Sequence, residues 1–374
     1  MDNFSLKYKT IEDGETSYLD NLYLISHSKN SHKTYKTTIK LFRLFLIEKF
    51  SCNEIQLVEK IHNNHIDVYD VLQLFVVHMD KQGIKGNTIR IRFSSIKGYL
   101  IHLGVKISTD EVKHTIKIPR VTRLREIPIT KEMIVRLLRN AKPKLQVAIL
   151  VAISTGLRLG ELVNLRIMDV DFTTIPTTVY VRGNTTKTRQ SRLTFLTAET
   201  TNALKDYLVR YHKWNESEKD PLLLEKHIFQ AKIKPKKPEQ FSALGTQNTL
   251  GSELLVLIKS IPELAIKNEN GRQAIHFHAF RKYFRTIVGN ASGRDFAENL
   301  IGHSFYMDTY YQLSDEKKRE MYLEVEPLLT ISDFSLIDAN FKDIHEKYTN
   351  LEKKFTELLD YLEQNHISIQ NMLS

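Results

Sequence analysis

The sequence predicts a mainly α-helical protein with one small β-hairpin, an α+β fold. Apolar residues recur three and four positions apart through most of the chain, a spacing that gives a helix one buried face. Two short segments, 177–182 and 192–197, instead alternate apolar and polar residues as strands do, and turn residues Gly183 and Asn184 lie between them. At 374 residues the chain is long enough for two domains and an appendage.

A small helical domain is predicted over residues 15–107, after an extension of residues 1–14. Three helices follow from apolar stripes in segments 35–46, 68–75 and 89–103. Gly104 is suited to end the last of them, because glycine is the preferred residue just beyond a helix.

A basic linker is predicted over residues 108–129, where helical periodicity is lost and prolines stiffen the chain. Its cationic residues are candidates for binding a phosphate backbone: Lys117, Arg120, Arg123 and Arg125. The alternative is a solvated tether with no contact to nucleic acid.

The larger domain is predicted over residues 130–330. Thr130 can cap its first helix, and the nearly apolar segment 147–153 predicts a helix in the core. Gly156 ends that helix and places Arg158 at the start of a short one, while Lys187 falls near the tip of the hairpin. Further helices are predicted around 250–260, 278–288, 294–301 and 315–328.

The tail, residues 331–374, contains a heptad pattern with apolar residues alternating at three and four positions over four heptads. Such a helix either folds back onto its own domain or pairs with a second protomer.

Charge and cysteine content limit the possible functions. The net charge is +10, and residues 1–330 hold 50 basic against 36 acidic residues, an excess that attracts polyanions such as nucleic acid. Cys52 is the only cysteine, which excludes an intrachain disulfide framework and a cysteine-based zinc site. Without a signal-like N-terminus or an 18-residue apolar run, the sequence predicts a cytoplasmic protein with no membrane association.

An ordered set of polar side chains in the second half suits phosphodiester cleavage without a metal. That reaction needs positive charge at the non-bridging oxygens, a nucleophile, and a proton for the leaving oxygen. Arginine holds two phosphate oxygens and keeps its charge, while tyrosine can form a covalent phosphotyrosine. Taken singly, each residue is also compatible with packing or solvation. The set is Arg158, Lys187, His278, Arg281, His303 and the pair Tyr310 and Tyr311.

The order and separation of these motifs resemble the catalytic boxes of the tyrosine recombinases, the phage integrase family. The resemblance covers roughly residues 15–330, and the front domain looks like the core-binding domain of that family, followed by its catalytic domain. The segment 308–311 and the stretch that follows it are most similar to archaeal integrases, including those of mobile elements. The matching boxes are Gly156 to Leu162, Lys187-Thr188, His278 to Arg281, and Ile301 to Ser304 followed by tyrosine.

Residue by residue, the resemblance implies a division of labour at the scissile phosphate. Arg158 and Arg281 would clamp the phosphate, with Glu161 supporting the arginine. Lys187 would protonate the 5′ oxygen, His278 would assist proton transfer, and His303 would fill the family's His-or-Trp position. The same resemblance implies a two-domain clamp around duplex DNA. Four protomers would exchange strands through 3′-phosphotyrosine linkages, without metal or other cofactor, at the nucleoid.

Two positions depart from the family pattern. Lys282 stands where many relatives have histidine, a position that is usually supportive. The commonest spacing places tyrosine nine residues after His303, which is Gln312 here, whereas Tyr310 and Tyr311 follow at seven and eight. Tyr310 is the predicted nucleophile by similarity to archaeal relatives, with Tyr311 as the alternative and Tyr306 a distant third.

The leading hypothesis is therefore a site-specific DNA recombinase. A type IB topoisomerase shares the chemistry but relaxes supercoils as a monomer. A DNA-binding or assembly protein without catalysis is the third reading, supported only by the unusual tyrosine spacing.

Overall fold

The computed structural model describes residues 7–8, 10–121, 124–230, 242–302, 313–332 and 354. The chain divides into two compact units, residues 1–123 and 124–374. The predicted fold class, mainly helical with one small sheet, is confirmed. Arg123 and the heptad segment from 334 to 362, apart from Lys354, lie outside the described residues. Within the part of the chain that is described, no helix is long and apolar enough to cross a bilayer.

The first unit is a helical domain. The three predicted helices are confirmed, and the described residues of this unit form three more that the sequence did not indicate. The six are α1 (Ile11–Ser26), α2 (Lys29–Phe50), α3 (Glu54–His62), α4 (Val68–Lys81), α5 (Gly86–His102) and α6 (Thr109–Thr115).

The core of this unit is built from the apolar stripes that predicted its helices. Ile39, Phe42 and Leu46 of α2 are wholly buried, and the Phe42 ring meets the Phe75 ring of α4 edge-on at 5.1 Å between centroids. The Tyr18 hydroxyl of α1 donates to the Ser95 carbonyl of α5 over 2.9 Å. Helix α1 therefore belongs to the domain, although the prediction left its first residues in an extension.

The first part of the predicted linker forms a helix. Helix α6 begins there, and Val112 and Ile116, four residues apart, pack on the core of the first unit. Two apolar positions are too few to reveal a helix in the sequence. Lys117 and Arg120 follow as exposed residues, and the Lys117 amide donates to Gln73 Oε1 over 2.7 Å.

The second unit carries the sheet and nine further helices within the described residues. The helices are α7 (Lys131–Asn140), α8 (Pro143–Thr155), α9 (Leu159–Val163), α10 (Ala198–His212), α11 (Pro221–Leu224), α12 (Ala243–Ser260), α13 (Phe277–Ser292), α14 (Arg294–Ile301) and α15 (Asp315–Leu329). The strands are β1 (Val170–Asp171), β2 (Thr177–Val181) and β3 (Arg192–Leu196).

The sheet contains the predicted hairpin and one additional strand. Strands β2 and β3 pair antiparallel with Val179 opposite Thr194, which confirms the hairpin. Strand β1 adds to the other edge of β2, with Val170 opposite Val179. Because β1 is two residues long, its sequence could not show an alternating pattern.

Helix α8 is the centre of this unit, as its apolar sequence predicts. Ten of its 13 residues are buried. Helices α10 and α13 pack against it, and the Tyr322 hydroxyl of α15 donates to the Ser154 carbonyl of α8 over 2.8 Å. The ends of α8 and α14 meet the first turns of α13 in one region, where Arg281 bonds the Gly156 and Ile301 carbonyls.

Candidate active site

The junction between α8 and α9 fixes the position of Arg158. Gly156 ends α8 in the left-handed conformation, with φ of +64°, and its amide donates to the Ala152 carbonyl over 3.0 Å. A Cβ at residue 156 would lie 2.4 Å from Phe284 Cδ1 and 2.8 Å from Ile301 Cγ2. Helices α13 and α14 therefore pack directly against the backbone that leads into Arg158.

A side chain at residue 156 should weaken the second unit. We expect Gly156→Ala to lower the free energy of unfolding by about 2–5 kcal/mol, because a left-handed alanine costs about 1–2 kcal/mol and an overpacked core about 1–3 kcal/mol. Gly251→Ala is the matched control: it lies within α12 with no atom within 4 Å of its would-be Cβ. That variant should gain about 0.5–1 kcal/mol from helix propensity. Equal stability of the two variants in urea unfolding would show that the junction tolerates a side chain.

The Glu161 carboxylate lies at the centre of the polar cluster, and its side chain is 2% exposed. Arg158 donates to it twice: Nη1 is 2.9 Å from Oε1, and the backbone amide is 3.0 Å from Oε2. The second bond closes the first turn of α9, where a helix has unpaired amides. Glu161 thus holds both the main chain and the guanidinium of Arg158.

Arg281 lies behind Arg158 on α13, and its Nη1 is 3.9 Å from Glu161 Oε2. It also donates to two main-chain carbonyls, from Nη1 to Gly156 over 2.6 Å and from Nη2 to Ile301 over 2.8 Å. The two predicted arginines differ in access, since Arg158 is 26% exposed and Arg281 only 2%. In this structure Arg158 is the member of the pair that an anion from solvent can reach.

The pKa shifts describe a charged cluster. Burial alone would raise the pKa of Glu161, but the hydrogen bond and charge of Arg192, with the amide and charge of Arg158, hold it below its usual value. Burial and the nearby Arg158 charge lower the pKa of Arg281 to about 9. The carboxylate is thus ionised and Arg281 still protonated at neutral pH.

His278 lies one turn before Arg281 on α13 and is exposed to solvent. Partial burial and the positive charges of Lys282 and Arg281 lower its pKa below the usual 6.5. Lys282, one of the two departures from the family pattern, forms an ion pair with Glu126. His278 is therefore a neutral imidazole at neutral pH, able to accept a proton.

The remaining predicted residues differ in what the structure shows of them. Lys187 is exposed in the connection between β2 and β3, and the neighbouring Thr186 hydroxyl ties that loop to the Gly183 and Gln190 carbonyls at 2.9 and 3.1 Å. Arg125 is exposed, and its amide donates to Glu269 Oε2 over 3.1 Å. His303, Tyr310 and Tyr311 lie outside the described residues.

Arg192 belongs to the cluster, although the sequence analysis did not identify it. Its Nη2 is 2.7 Å from Glu161 Oε2, its Nη1 is 3.4 Å from Oε1, and its Nε donates to the Leu300 carbonyl over 2.9 Å. An arginine that begins a strand is usually a surface residue, so nothing in the local pattern marks it. Only the three-dimensional proximity of residues 161, 192 and 300 reveals its place.

The cluster has the charge balance of an anion site. Three guanidiniums surround one carboxylate, which leaves a local charge of about +2. Planar guanidiniums match the oxygens of a phosphodiester, and a low-dielectric setting strengthens their attraction to it. Among the residues that the structure describes, no three His, Cys, Asp or Glu side chains are grouped so as to hold a metal ion.

The fold resembles that of known DNA recombinases. A lambda integrase dimer bound to a COC' core site matches with a TM-score of 0.54 at 16% identity, over 84% of this chain and 77% of that one. A lambda integrase tetramer bound to a Holliday junction matches with a TM-score of 0.53 at 16% identity, over 84% of this chain and 82% of that one. At such identities the likeness establishes the fold alone.

The sequence comparisons establish the family. No curated protein matches the chain significantly. The sequence profile described as the phage integrase family matches residues 128–316, which is half of the chain and contains every member of the cluster. The chain therefore belongs to the phage integrase family, the tyrosine-type site-specific DNA recombinases.

Proposed function

We propose that this protein cuts and rejoins duplex DNA at specific sites through a 3′-phosphotyrosine intermediate, without a metal or nucleotide cofactor. The observation that carries the proposal is the buried Glu161 carboxylate, which holds Arg158 and Arg192 with Arg281 3.9 Å away, in a chain of this family. A transferring phosphate needs positive charge fixed in advance at its non-bridging oxygens. The cluster supplies that charge from side chains alone.

Arg158 and Arg281 are proposed to clamp the scissile phosphate in unequal ways. Arg158 is accessible and makes the first contact with DNA, whereas Arg281 is 2% exposed and contributes its charge from the protein side of Arg158. Glu161 does not touch DNA in this proposal; it holds Arg158 from behind. Because guanidinium stays protonated, both arginines remain positive throughout the reaction.

Proton transfer is assigned to His278 and Lys187. The neutral imidazole of His278 is suited to accept the proton of the attacking tyrosine, and the exposed Lys187 ammonium to donate one to the 5′ oxygen. Tyr310 is the proposed nucleophile, with Tyr311 as the alternative, and His303 is proposed to donate a hydrogen bond to the phosphate. Attack forms the phosphotyrosine bond and releases the 5′ hydroxyl; rejoining reverses both changes.

The charge on Lys282 should affect the pH at which His278 becomes protonated and DNA cleavage slows. Wild-type cleavage should fall on the acid side as His278 becomes protonated, at a pH below the usual imidazole value because its pKa is lowered. Lys282→Met removes a neighbouring positive charge, which favours imidazolium, so the acid limb should move to higher pH. Single-turnover cleavage rates between about pH 5 and 8 measure it. Lys259→Met, an exposed lysine of α12, is the control; if both variants keep the wild-type limb, His278 is not the titrating group.

The partners proposed are duplex DNA and further copies of the chain. The lambda integrase structures with this fold are a dimer on a core site and a tetramer on a Holliday junction, which supports a tetramer on DNA here. The first unit is proposed as the core-binding domain and the second as the catalytic domain. The linker residues Lys117, Arg120, Arg123 and Arg125 would follow the duplex backbone, and the C-terminal heptad segment would contact either its own domain or a neighbouring protomer.

The biological setting follows from the resemblance of the segment 308–311 to archaeal integrases. We infer that the natural reaction moves a mobile element into or out of a chromosome, and that the protein acts at the nucleoid. The archaeal likeness rests on that short segment and the residues after it.

One experiment separates the three candidate functions. The DNA site is first identified by selecting duplexes that bind the protein from a randomised library. Pairs of these duplexes are then tested for strand exchange. In a parallel reaction, a supercoiled plasmid that lacks the site is tested for relaxation. A recombinase exchanges strands between site-bearing duplexes and forms a covalent adduct. A type IB topoisomerase instead relaxes the plasmid without the site, and a DNA-binding protein binds the duplex but gives no adduct.

A further inference from the structure

Arg192 contacts both α9 and the end of α14. From the first position of β3 its guanidinium contacts both oxygens of Glu161, on α9, and the Leu300 carbonyl at the end of α14. We propose that Arg192 is a positioning residue for the cleavage reaction: it holds Glu161, and through it Arg158, in the orientation that binds phosphate. This inference rests on the proposed function.

Both carboxylate oxygens of Glu161 accept hydrogen bonds from arginines. Oε2 accepts from Arg192 Nη2 at 2.7 Å and from the Arg158 amide at 3.0 Å, while Oε1 accepts from Arg158 Nη1 at 2.9 Å. A carboxylate with one partner can rotate about its terminal bonds. Because the planar Arg192 guanidinium contacts both oxygens, the Glu161 carboxylate keeps a fixed orientation toward Arg158.

Exposure separates the roles of the arginines. The Arg192 side chain is 9% exposed and Arg158 26% exposed, so Arg192 lies on the protein side of the carboxylate and Arg158 on the solvent side. Like charges repel, and the Arg192 charge therefore favours an Arg158 guanidinium that points away from it. In this arrangement Arg192 acts through Glu161 and does not touch the phosphate.

The second connection is at the end of α14. The last carbonyls of a helix lack partners within it, and here Arg192 Nε takes that of Leu300 while Arg281 Nη2 takes that of Ile301. Gly302 has φ of +67°, and a Cβ on it would lie 2.8 Å from Arg192 Cδ. Arg192 thus also fixes the point from which the chain continues to His303. One side chain, Arg192, therefore contacts both the carboxylate that holds Arg158 and the helix end that precedes His303.

The test compares Arg192 with a second arginine of the same hairpin. Arg182, just after β2, bonds the Asn164 carbonyl at 2.6 Å and the buried Asp169 carboxylate at 3.2 Å, without contact to Glu161. Arg182→Met therefore removes an arginine that is 22% exposed from a buried carboxylate away from the cluster. Melting temperature, duplex Kd and single-turnover cleavage on a nicked suicide duplex are measured for Arg192→Met, Arg192→Lys and Arg182→Met, at a temperature where each is folded.

If Arg192 is a positioning residue, its replacement should lower the cleavage rate strongly and change the duplex Kd little. Arg192→Met should lose about 100-fold in cleavage rate, since small misplacements of a catalytic group cost about that much, with duplex Kd changed by less than about threefold. Arg192→Lys should recover melting temperature but remain at least about tenfold slow, because an ammonium cannot form the fork. Arg182→Met should cleave at the wild-type rate.

Two other outcomes overturn the inference. One is wild-type cleavage by folded Arg192→Met. The other is recovery of rate and melting temperature together in Arg192→Lys, which indicates a merely structural role; if Arg192→Met does not fold, the lysine variant decides alone. Failure of the proposed function looks different, because wild-type protein would then form no adduct at all.

Discussion

Arg158→Ala should abolish DNA cleavage while leaving most of duplex binding and folding intact. The variant removes positive charge at the transferring phosphate, and losing such a group costs on the order of 10³-fold or more in rate. Duplex binding draws on many phosphate contacts, so losing one should weaken it by less than about tenfold. Stability should fall by about 1 kcal/mol or less, because Arg158 is partly exposed and Glu161 keeps its pair with Arg192.

The control for that variant is Arg210→Ala, an exposed arginine in the last turn of α10. It should bind and cleave as wild type does. Single-turnover cleavage, duplex Kd by titration and urea unfolding are measured for both variants. If Arg158→Ala cleaves at the wild-type rate, the assignment of Arg158 to the phosphate is wrong.

Arg281→Ala should lose both cleavage and stability. Arg281 is wholly surrounded by protein, with two main-chain carbonyls and the Glu161 carboxylate as its partners. Breaking a buried pair costs about 3–5 kcal/mol, and the Gly156 and Ile301 carbonyls lose the hydrogen bonds that Arg281 donates. We therefore expect a markedly lower melting temperature as well as undetectable cleavage, in contrast to Arg158→Ala.

Arg281→Lys distinguishes charge from geometry at this position. An ammonium keeps the charge but cannot reach both carbonyls as a planar fork does. Stability should be intermediate, and cleavage should stay far below wild type. A melting temperature of Arg281→Ala equal to that of Arg158→Ala would contradict the buried role of Arg281.

The motifs that carry chemistry could be predicted because each combines local pattern with residue type. Gly156 and Arg158 lie at the helix junction that their sequence indicates, and His278 and Arg281 share one face of α13. The hairpin could be predicted from the alternation of apolar and polar residues along its two strands. What these patterns have in common is that each is complete within a few residues of sequence.

Other features could not be predicted because they depend on contacts between distant segments. Arg192 joins residues 161 and 300, and no pattern around it distinguishes it from a surface arginine. The low exposure of Arg281 follows from the packing of three helices rather than from its motif. Helix α6 was missed because its anchoring residues are too few for a periodic signal.

The spacing of the tyrosine pair is one of the two departures from the family pattern, and the pair is also where the central claim is best tested. Trapping the covalent complex on a nicked suicide duplex and mapping the modified peptide identifies the nucleophile by fragmentation. We predict one adduct on Tyr310, lost in Tyr310→Phe and retained in Tyr311→Phe. An adduct on Tyr311 would move the nucleophile by one residue and leave the function standing. No adduct from wild-type protein on a duplex that it binds would contradict the account.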